Sequence, residues 1–201
     1  MVKRGETVRI RKESASIAFV QVNTGIPVPK VYRTWTEDTN GHTFGYIEME
    51  KVPGVQLEQA WCQMSLAARS TATAEFTDHV KQLRAIPQSE PVGWIGACDG
   101  SGTFDCRLSH KAIEEVDPFA SEQDFNAFIS RNLVRNGTDN YKEQFLPVLK
   151  TYEHKIVFTH GDLSSLHIFV DVQSGHILGI IDWEMAGWMP EYWEYLKALY
   201  S

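Results

Sequence analysis

Short apolar runs separated by polar residues dominate the C-terminal third of the chain. Residues 155–158 and 168–170 are rich in β-branched and aromatic side chains, and 176–181 form a third apolar run. Such runs bounded by turn-forming residues indicate strands. A Gln-Ser-Gly turn at 173–175 separates the second run from the third, which predicts a β-hairpin. The polar stretch 160–165 predicts a loop before that hairpin.

This topology directs three polar side chains into one cleft: Asp162 in the loop, His167 just after it, and Asp182 at the end of the outgoing strand. A loop carboxylate can orient a substrate hydroxyl or accept its proton, and a carboxylate at a strand end can hold magnesium beside phosphates. A loop Asp, a metal ligand five residues on and a later metal-binding Asp follow one another in this order in kinases. The pattern therefore predicts a phosphoryl-transfer centre.

The N-terminal pattern predicts a small β-rich unit. Residues 2–3 and 7–10 alternate as strands on either side of Gly5, and 13–23 have helical spacing with Ala15, Ala18, Phe19 and Val22 on the apolar face. Strands are predicted over 31–36 and 43–52, because the Asn40-Gly41 pair between them is a strong hairpin signal.

Helical periodicity dominates from Gln56 onward. Ser65 is a predicted N-cap for a helix that reaches about Arg84. Its predicted buried positions are Leu66, Ala72, Phe76, Val80 and Leu83. Further helices are predicted from a capping-box-like pattern at 121–124, over 140–149, and over 191–200 with Pro190 at its start. The fold class is therefore α+β.

Composition narrows the function classes. The 201-residue chain carries a formal charge of −7, which argues against a nucleic-acid partner and is compatible with a cationic substrate. No apolar run is long enough to span a bilayer, and no secretory signal follows Met1. Cys98, Cys106 and His110 match no common zinc spacing, and the few irregular cysteines favour reduced thiols. We expect a cytoplasmic protein without a membrane partner.

Three segments together resemble the aminoglycoside phosphotransferase family, most closely its fungal members: 160–163 (HGDL), 180–184 (IIDWE) and 186–188 (AGW). The stretch 24–32 (TGIPVPKVY) is also similar to that fungal group. The resemblance implies a two-lobed, protein-kinase-like fold. Residues 1–52 would form an incomplete β-rich N-terminal lobe, and 53–201 a larger, mainly helical lobe with the catalytic loop.

The resemblance also implies an activity: transfer of the γ-phosphate of ATP to a hydroxyl of a small molecule, with Mg²⁺ as the metal. Asp162 would be the catalytic base and Asp182 the metal ligand. Lys3 would bind the ATP phosphates, held in place by Glu13. Backbone groups from Glu50 to Val52 would contact adenine, although an ordinary edge strand and turn explain that segment almost as well.

His167 departs from the family pattern, which has Asn at this position. An imidazole nitrogen suits Mn²⁺, zinc or iron better than Mg²⁺, so Mn²⁺ is an alternative cofactor. The other interpretation is that His167 only forms a hydrogen bond within the loop. A third hypothesis is that His160, Asp162, His167 and Asp182 together bind a transition metal for hydrolysis, but their spacing fits no familiar zinc-hydrolase motif. The other interpretation of His160 is that it is a structural residue that forms hydrogen bonds in the loop.

The sequence departs from the pattern of kinase-like folds in a second way, because it lacks their glycine-rich covering loop: Gly-x-Gly-x-x-Gly occurs nowhere in it. The chain is therefore either a truncated member or one whose ATP site lacks a covering loop. This leaves open an alternative function, a catalytically impaired nucleotide-binding pseudokinase or fragment. The sequence identifies neither the acceptor nor the oligomeric state.

Overall fold

A computed structural model describes residues 1–105, 108, 115–136 and 153–199. The first sheet is antiparallel, in the order β1-β3-β2. Its strands are β1 (Val2–Glu6), β2 (Val31–Thr39) and β3 (His42–Met49). Lys3 pairs with Ile47 in this sheet, which places the lysine on a strand fixed by its central neighbour.

The predicted hairpin at Asn40-Gly41 is confirmed. Both residues have positive φ, at 52° and 78°, and Thr39 pairs with His42 directly across the turn. A two-residue turn with two left-handed residues matches the twist of the strands it joins. The turn therefore fixes the register of β2 against β3.

The predicted strand over 7–10 is wrong, because helix α1 (Thr7–Asn23) begins there, directly after β1. Alternation of Val8 and Ile10 with polar residues resembles a strand pattern, but Ile10 is buried in the core from a helix. Tertiary packing has overridden a short local pattern. The helix ends at Asn23, as the sequence predicts.

The buried face of α1 also differs from the predicted one. Its apolar buried residues are Ile10, Ile17 and Val20, whereas Val22 is 84% exposed. The same face buries polar residues, among them Lys12 and Glu13. A hydrophobic pattern cannot assign such positions, because their burial depends on partners elsewhere in the chain.

The two helices that follow the first sheet confirm the predicted change to helical periodicity. A short strand β4 (Val55–Gln56) precedes α2 (Leu57–Ala60) and α3 (Leu66–Ala85). The Ser65 hydroxyl accepts a hydrogen bond from the Ala68 N–H at 3.1 Å, so the predicted N-cap is confirmed. Leu66, predicted to be buried, is 82% exposed because it starts the helix on the side away from Ala68 and Ala72.

The second half of the described chain contains α4 (Glu122–Asn136), β5 (Ile156–Thr159), β6 (Ile168–Val170), β7 (Ile177–Ile180), a 3₁₀ turn (Trp183–Met185), β8 (Gly187–Pro190) and α5 (Trp193–Ala198). Strands β6 and β7 form the predicted antiparallel hairpin, with β4 on its other edge. Strand β8 pairs with β5 and was not predicted. Pro190 ends β8 instead of starting the last helix.

One apolar core joins α1, β3, α3 and the β6–β7 hairpin, and Phe158, Trp183 and Trp188 lie within it. A second cluster surrounds Phe125 and Trp193. The core holds the first sheet against the segment that carries the candidate site. The lobe boundary between residues 52 and 53 stays a prediction.

Among the described residues, every helix is too short or too polar to cross a bilayer. The predicted helix over 140–149 lies outside the described residues, as do Cys106 and His110.

Substitution of Gly175 by Ala should cost about 3 kcal/mol of unfolding free energy, whereas Gly41→Ala should cost about 1 kcal/mol. Both glycines have positive φ, but a Cβ on Gly175 would lie 1.9 Å from the Ala68 carbonyl oxygen, while one on Gly41 meets nothing within 4 Å. Urea unfolding of the two variants measures the difference. Equal losses would show that the β6–β7 turn does not pack closely on α3.

Candidate active site

The loop between β5 and β6 carries Asp162 and depends on Gly161. Gly161 has φ of 78°, and a Cβ there would lie 2.4 Å from the Met185 carbonyl oxygen. Only glycine satisfies both constraints without moving the backbone. The close approach of the loop to the 3₁₀ turn therefore places Asp162 beside the segment that follows Asp182.

Glu194 on α5 holds this loop in place through its backbone N–H groups. Its carboxylate accepts hydrogen bonds from the N–H groups of His160 at 2.6 Å and Gly161 at 3.1 Å, and a longer one from Leu163 at 3.4 Å. The side chain is buried, and burial raises the pKa of Glu194 while the backbone donors oppose the rise. A single carboxylate thus satisfies backbone donors that the loop leaves unpaired.

A buried ion pair holds the helix that carries Glu194. Lys197 Nζ lies 3.0 Å from Asp105 Oδ1, and Trp193 Nε1 donates to Asp105 Oδ2 at 3.2 Å. Lys197 and Asp105 are both almost fully buried. Because the indole and the ammonium share one carboxylate, α5 is fixed in orientation as well as position.

His160 forms hydrogen bonds within the loop, in agreement with the sequence-based interpretation. Its Nε2 donates to the Ile181 carbonyl at 2.9 Å, and its Nδ1 accepts from the Asp162 N–H at 3.2 Å. The ring is fully buried, and burial lowers the pKa of His160 to about 4. Because both ring nitrogens are engaged, His160 is not available as a metal ligand in this arrangement, which contradicts the four-residue hydrolase hypothesis.

The side chains of Asp162, His167 and Asp182 converge, as predicted. One ligand atom from each lies within 4.8 Å of the others. The side chains keep 31%, 18% and 29% of their surface exposed, so the cleft that they line is open to solvent. Two carboxylates and an imidazole are a donor set that fits a divalent cation.

Asp182 adopts a left-handed backbone conformation, with φ of 68° and ψ of 54°. This region is strained for residues other than glycine and occurs where the surroundings enforce it, frequently at functional sites. The N–H of Ile181 donates to the His167 carbonyl at 3.0 Å. That bond ties the start of the turn to the end of the loop, so the two metal-binding candidates stay side by side.

Lys3 connects this site to the first sheet. Its ammonium lies 2.8 Å from Glu13 Oε2, 2.8 Å from Asp182 Oδ1 and 3.3 Å from Glu184 Oε2. Burial disfavours the charged form of Lys3, but the three carboxylates outweigh burial and raise its pKa above the ordinary value. For Asp182, burial is likewise outweighed by the hydrogen bond from Lys3, which lowers its pKa.

The two supporting carboxylates are buried, unlike the Asp182 carboxylate. Glu13 and Glu184 side chains are 2% and 3% exposed. Burial raises the pKa of Glu13 to about 7, and the charge of Lys3 opposes that rise. Arg9 Nε donates to Glu184 Oε1 at 3.0 Å, and this contact raises the pKa of Arg9. Lys3 is therefore anchored from inside the protein while 29% of its side chain stays exposed.

The predicted adenine-contacting segment links β3 to β4. The Glu50 N–H donates to the Lys30 carbonyl at 2.8 Å, so this donor is already used. Val52 is buried, and its side chain packs against Gly179. A Cβ added to Gly179 would lie 2.5 Å from Val52 Cγ1. Contacts to a base would therefore come from the remaining backbone groups of the segment and from the apolar Val52 side chain.

An apolar pocket of about 250 Å³ lies beside the loop between β5 and β6. It is lined by α2, α3 and the loop residues Leu163, Ser164 and Ser165. Ser164 Oγ also lies 3.5 Å from His167 Nδ1. The pocket and the polar cleft therefore share one loop residue.

The structure brings Lys3, Glu13, Asp162, His167 and Asp182 together, whereas Glu50 and Val52 lie in the connecting segment. Sequence reasoning assigned no role to Arg9, Glu184 or Glu194. Glu184 could have been suspected, because it follows Asp182 by two residues. Glu194 had no comparable signal, since its role depends on the fold of a loop more than thirty residues earlier.

The fold and this constellation define a kinase-like phosphotransferase domain. The model of the phosphotransferase enzyme family named APH matches residues 2–201. The chain therefore belongs to that family. A search of curated proteins by sequence finds no match.

Solved structures with a similar fold include aminoglycoside phosphotransferases. The GDP complex of wild-type aminoglycoside 2'-phosphotransferase-IIIa is 14% identical with a TM-score of 0.57, covering 94% of this chain and 60% of its own. The type VIII aminoglycoside-3'-phosphotransferase is 16% identical with a TM-score of 0.59, covering 98% and 67%. A thermostable mutant of APH(4)-Ia with ADP and hygromycin B is 15% identical with a TM-score of 0.61, covering 98% and 62%. This chain thus spans about three fifths to two thirds of their length.

Replacing Glu194 by Gln should lower the unfolding free energy by about 2 kcal/mol, because an amide has only one acceptor oxygen for the loop N–H groups. Amide hydrogen exchange should accelerate at His160 and Gly161. Glu191→Gln, three residues earlier, is the matched control and should leave both quantities nearly unchanged. Unaltered exchange at the two amides in the Glu194 variant would refute its role in holding the loop.

The contribution of His160 to stability should decrease as the pH falls. The unfolded ring takes up a proton near its ordinary value of 6.5, whereas the native ring stays neutral until about 4. Between pH 7 and pH 5 the unfolding free energy of the wild-type protein should therefore fall by about 2 kcal/mol relative to that of a His160→Gln variant. Glu13, whose pKa is raised, changes stability in the opposite direction, but it does so in both proteins.

Urea unfolding of both proteins at pH 7, 6 and 5 measures this difference. His176→Gln, at a histidine whose side chain is 62% exposed, is the control and should show a much smaller pH-dependent difference. A constant gap between wild type and the His160 variant would contradict a buried neutral ring.

Proposed function

We propose that this chain is part of an ATP-dependent phosphotransferase that moves the γ-phosphoryl group to a hydroxyl of a small molecule. One observation carries the proposal: Asp162, Asp182 and Lys3 converge in one open cleft although Lys3 and Asp182 are 179 residues apart in the chain. Buried Glu13 and Glu184 hold the lysine, while the three converging side chains remain accessible. Membership in the phosphotransferase family supports the same reaction type.

Asp162 would orient the acceptor hydroxyl and take up its proton. As the acceptor oxygen bonds to the γ-phosphorus, the bond from that phosphorus to the bridging oxygen breaks and ADP leaves. The loop fixes Asp162 through Gly161 and through the bond from its N–H to His160. Positioning of this kind supplies much of the catalysis in phosphoryl transfer, because the protein does little covalent chemistry.

Lys3 would neutralise charge on the nucleotide phosphates. Its ammonium is already oriented by Glu13 and Glu184, so it need not be ordered when phosphate binds. Asp182 and His167 would hold Mg²⁺ or Mn²⁺. When bound, such an ion neutralises phosphate charge.

The nucleotide that donates the phosphate and the molecule that accepts it are suggested by the solved neighbours and by the charge and pockets of this chain. Solved neighbours were crystallised with GDP or with ADP and hygromycin B, so both purine nucleotides need testing. The net charge of −7 favours a cationic acceptor. The apolar pocket beside the loop makes acceptors with an apolar portion worth including.

Asp162→Asn should lower kcat about 10²- to 10⁴-fold while changing nucleotide affinity only a few-fold, because the amide cannot accept the hydroxyl proton. Phosphate transfer from ATP and GTP to a panel of hydroxyl acceptors, with Mg²⁺ and then Mn²⁺, measures the rate. Asp117→Asn, at an exposed position, is the matched control and should retain wild-type activity.

Nucleotide binding without transfer under both metals would support the alternative of a catalytically impaired member. Absence of nucleotide binding by a folded protein would refute the proposed function altogether.

A further inference from the structure

The orientation of the His167 ring is fixed by its surroundings. Its Nδ1 lies 2.7 Å from the Asp162 carbonyl oxygen. A carbonyl can only accept, so Nδ1 carries the hydrogen. In the neutral ring the lone pair is therefore on Nε2. The His167 N–H also donates to the Ser164 carbonyl at 3.0 Å, which holds the residue at the end of the loop.

The free nitrogen faces a carboxylate oxygen. His167 Nε2 lies 3.5 Å from Asp182 Oδ2, while Asp182 Oδ1 is bound by Lys3 at 2.8 Å. The two Asp182 oxygens thus have separate tasks: one binds the lysine and the other points toward the imidazole. A backbone carbonyl that accepts from one ring nitrogen of a histidine and leaves the lone pair of the other nitrogen available is the arrangement found around metal-ligating histidines.

The chemistry of these two ligand atoms distinguishes between divalent cations. Mg²⁺ is a hard ion that prefers oxygen ligands. Imidazole suits borderline transition metals, and carboxylate and phosphate oxygens also suit Mn²⁺.

We propose that His167 is a direct metal ligand through Nε2 and that it makes this site select Mn²⁺ over Mg²⁺. The selectivity in the presence of nucleotide rests on the proposed function, whereas ligation by the imidazole does not. The neighbouring cluster of Glu13, Asp182 and Glu184 already binds the ammonium of Lys3, which leaves the His167 side of Asp182 for the ion.

Pulsed electron paramagnetic resonance of the Mn²⁺-loaded protein, with and without a non-hydrolysable ATP analogue, tests the ligand. Wild-type protein should show nitrogen hyperfine coupling typical of a coordinated imidazole. Labelling the histidines with ¹⁵N should convert that signal to the ¹⁵N pattern, which requires no variant. His167→Asn should abolish it, and His176→Asn, at an exposed histidine, should retain it.

Competition between Mn²⁺ and Mg²⁺ tests the selectivity. The Kd for Mg²⁺ divided by the Kd for Mn²⁺ measures the preference for Mn²⁺. This ratio should fall by about tenfold or more in His167→Asn, because an amide oxygen replaces the imidazole. Lack of nitrogen coupling in wild-type protein that still binds nucleotide would overturn the metal inference and leave the proposed function intact. Nitrogen coupling in a protein that binds no nucleotide would support ligation and refute the proposed function.

Discussion

The ammonium of Lys3 among three carboxylates is the interaction on which the rest of the site depends. It joins the first strand to the 3₁₀ turn after β7, and thereby the first sheet to the segment that carries the acidic residues. Truncation of the Lys3 side chain would leave the negative charges of buried Glu13 and Glu184 less compensated. Loss of one partner of a buried ion pair strongly destabilises a folded protein. The interaction therefore couples the fold to the chemistry.

Burial divides the charged residues into two groups with different tasks. Glu13, Glu184 and Glu194 are almost fully buried and hold other groups in place. Asp162 and Asp182 keep about a third of their side-chain surface exposed. A preorganised site needs both groups, because the accessible ones act only when others fix their geometry.

Sequence patterns predicted much of this arrangement because its signals are local. The Asn40-Gly41 turn, the Ser65 cap and the β6–β7 hairpin each follow from adjacent residues. The start of α1 and strand β8 could not be predicted, because Ile10 and Pro190 take their conformations from distant packing and pairing. The role of Glu194 was hidden for the same reason, since its partners are loop amides.

The dependence of the loop between β5 and β6 on Glu194 has a consequence for biosynthesis. The loop emerges from the ribosome before the carboxylate that satisfies its amides, and Lys3 emerges long before Asp182. A nascent chain that ends before α5 therefore carries every residue of the polar cleft without the means to arrange them. The residues of the polar cleft should therefore take up their arrangement only after that helix has been synthesised and has docked.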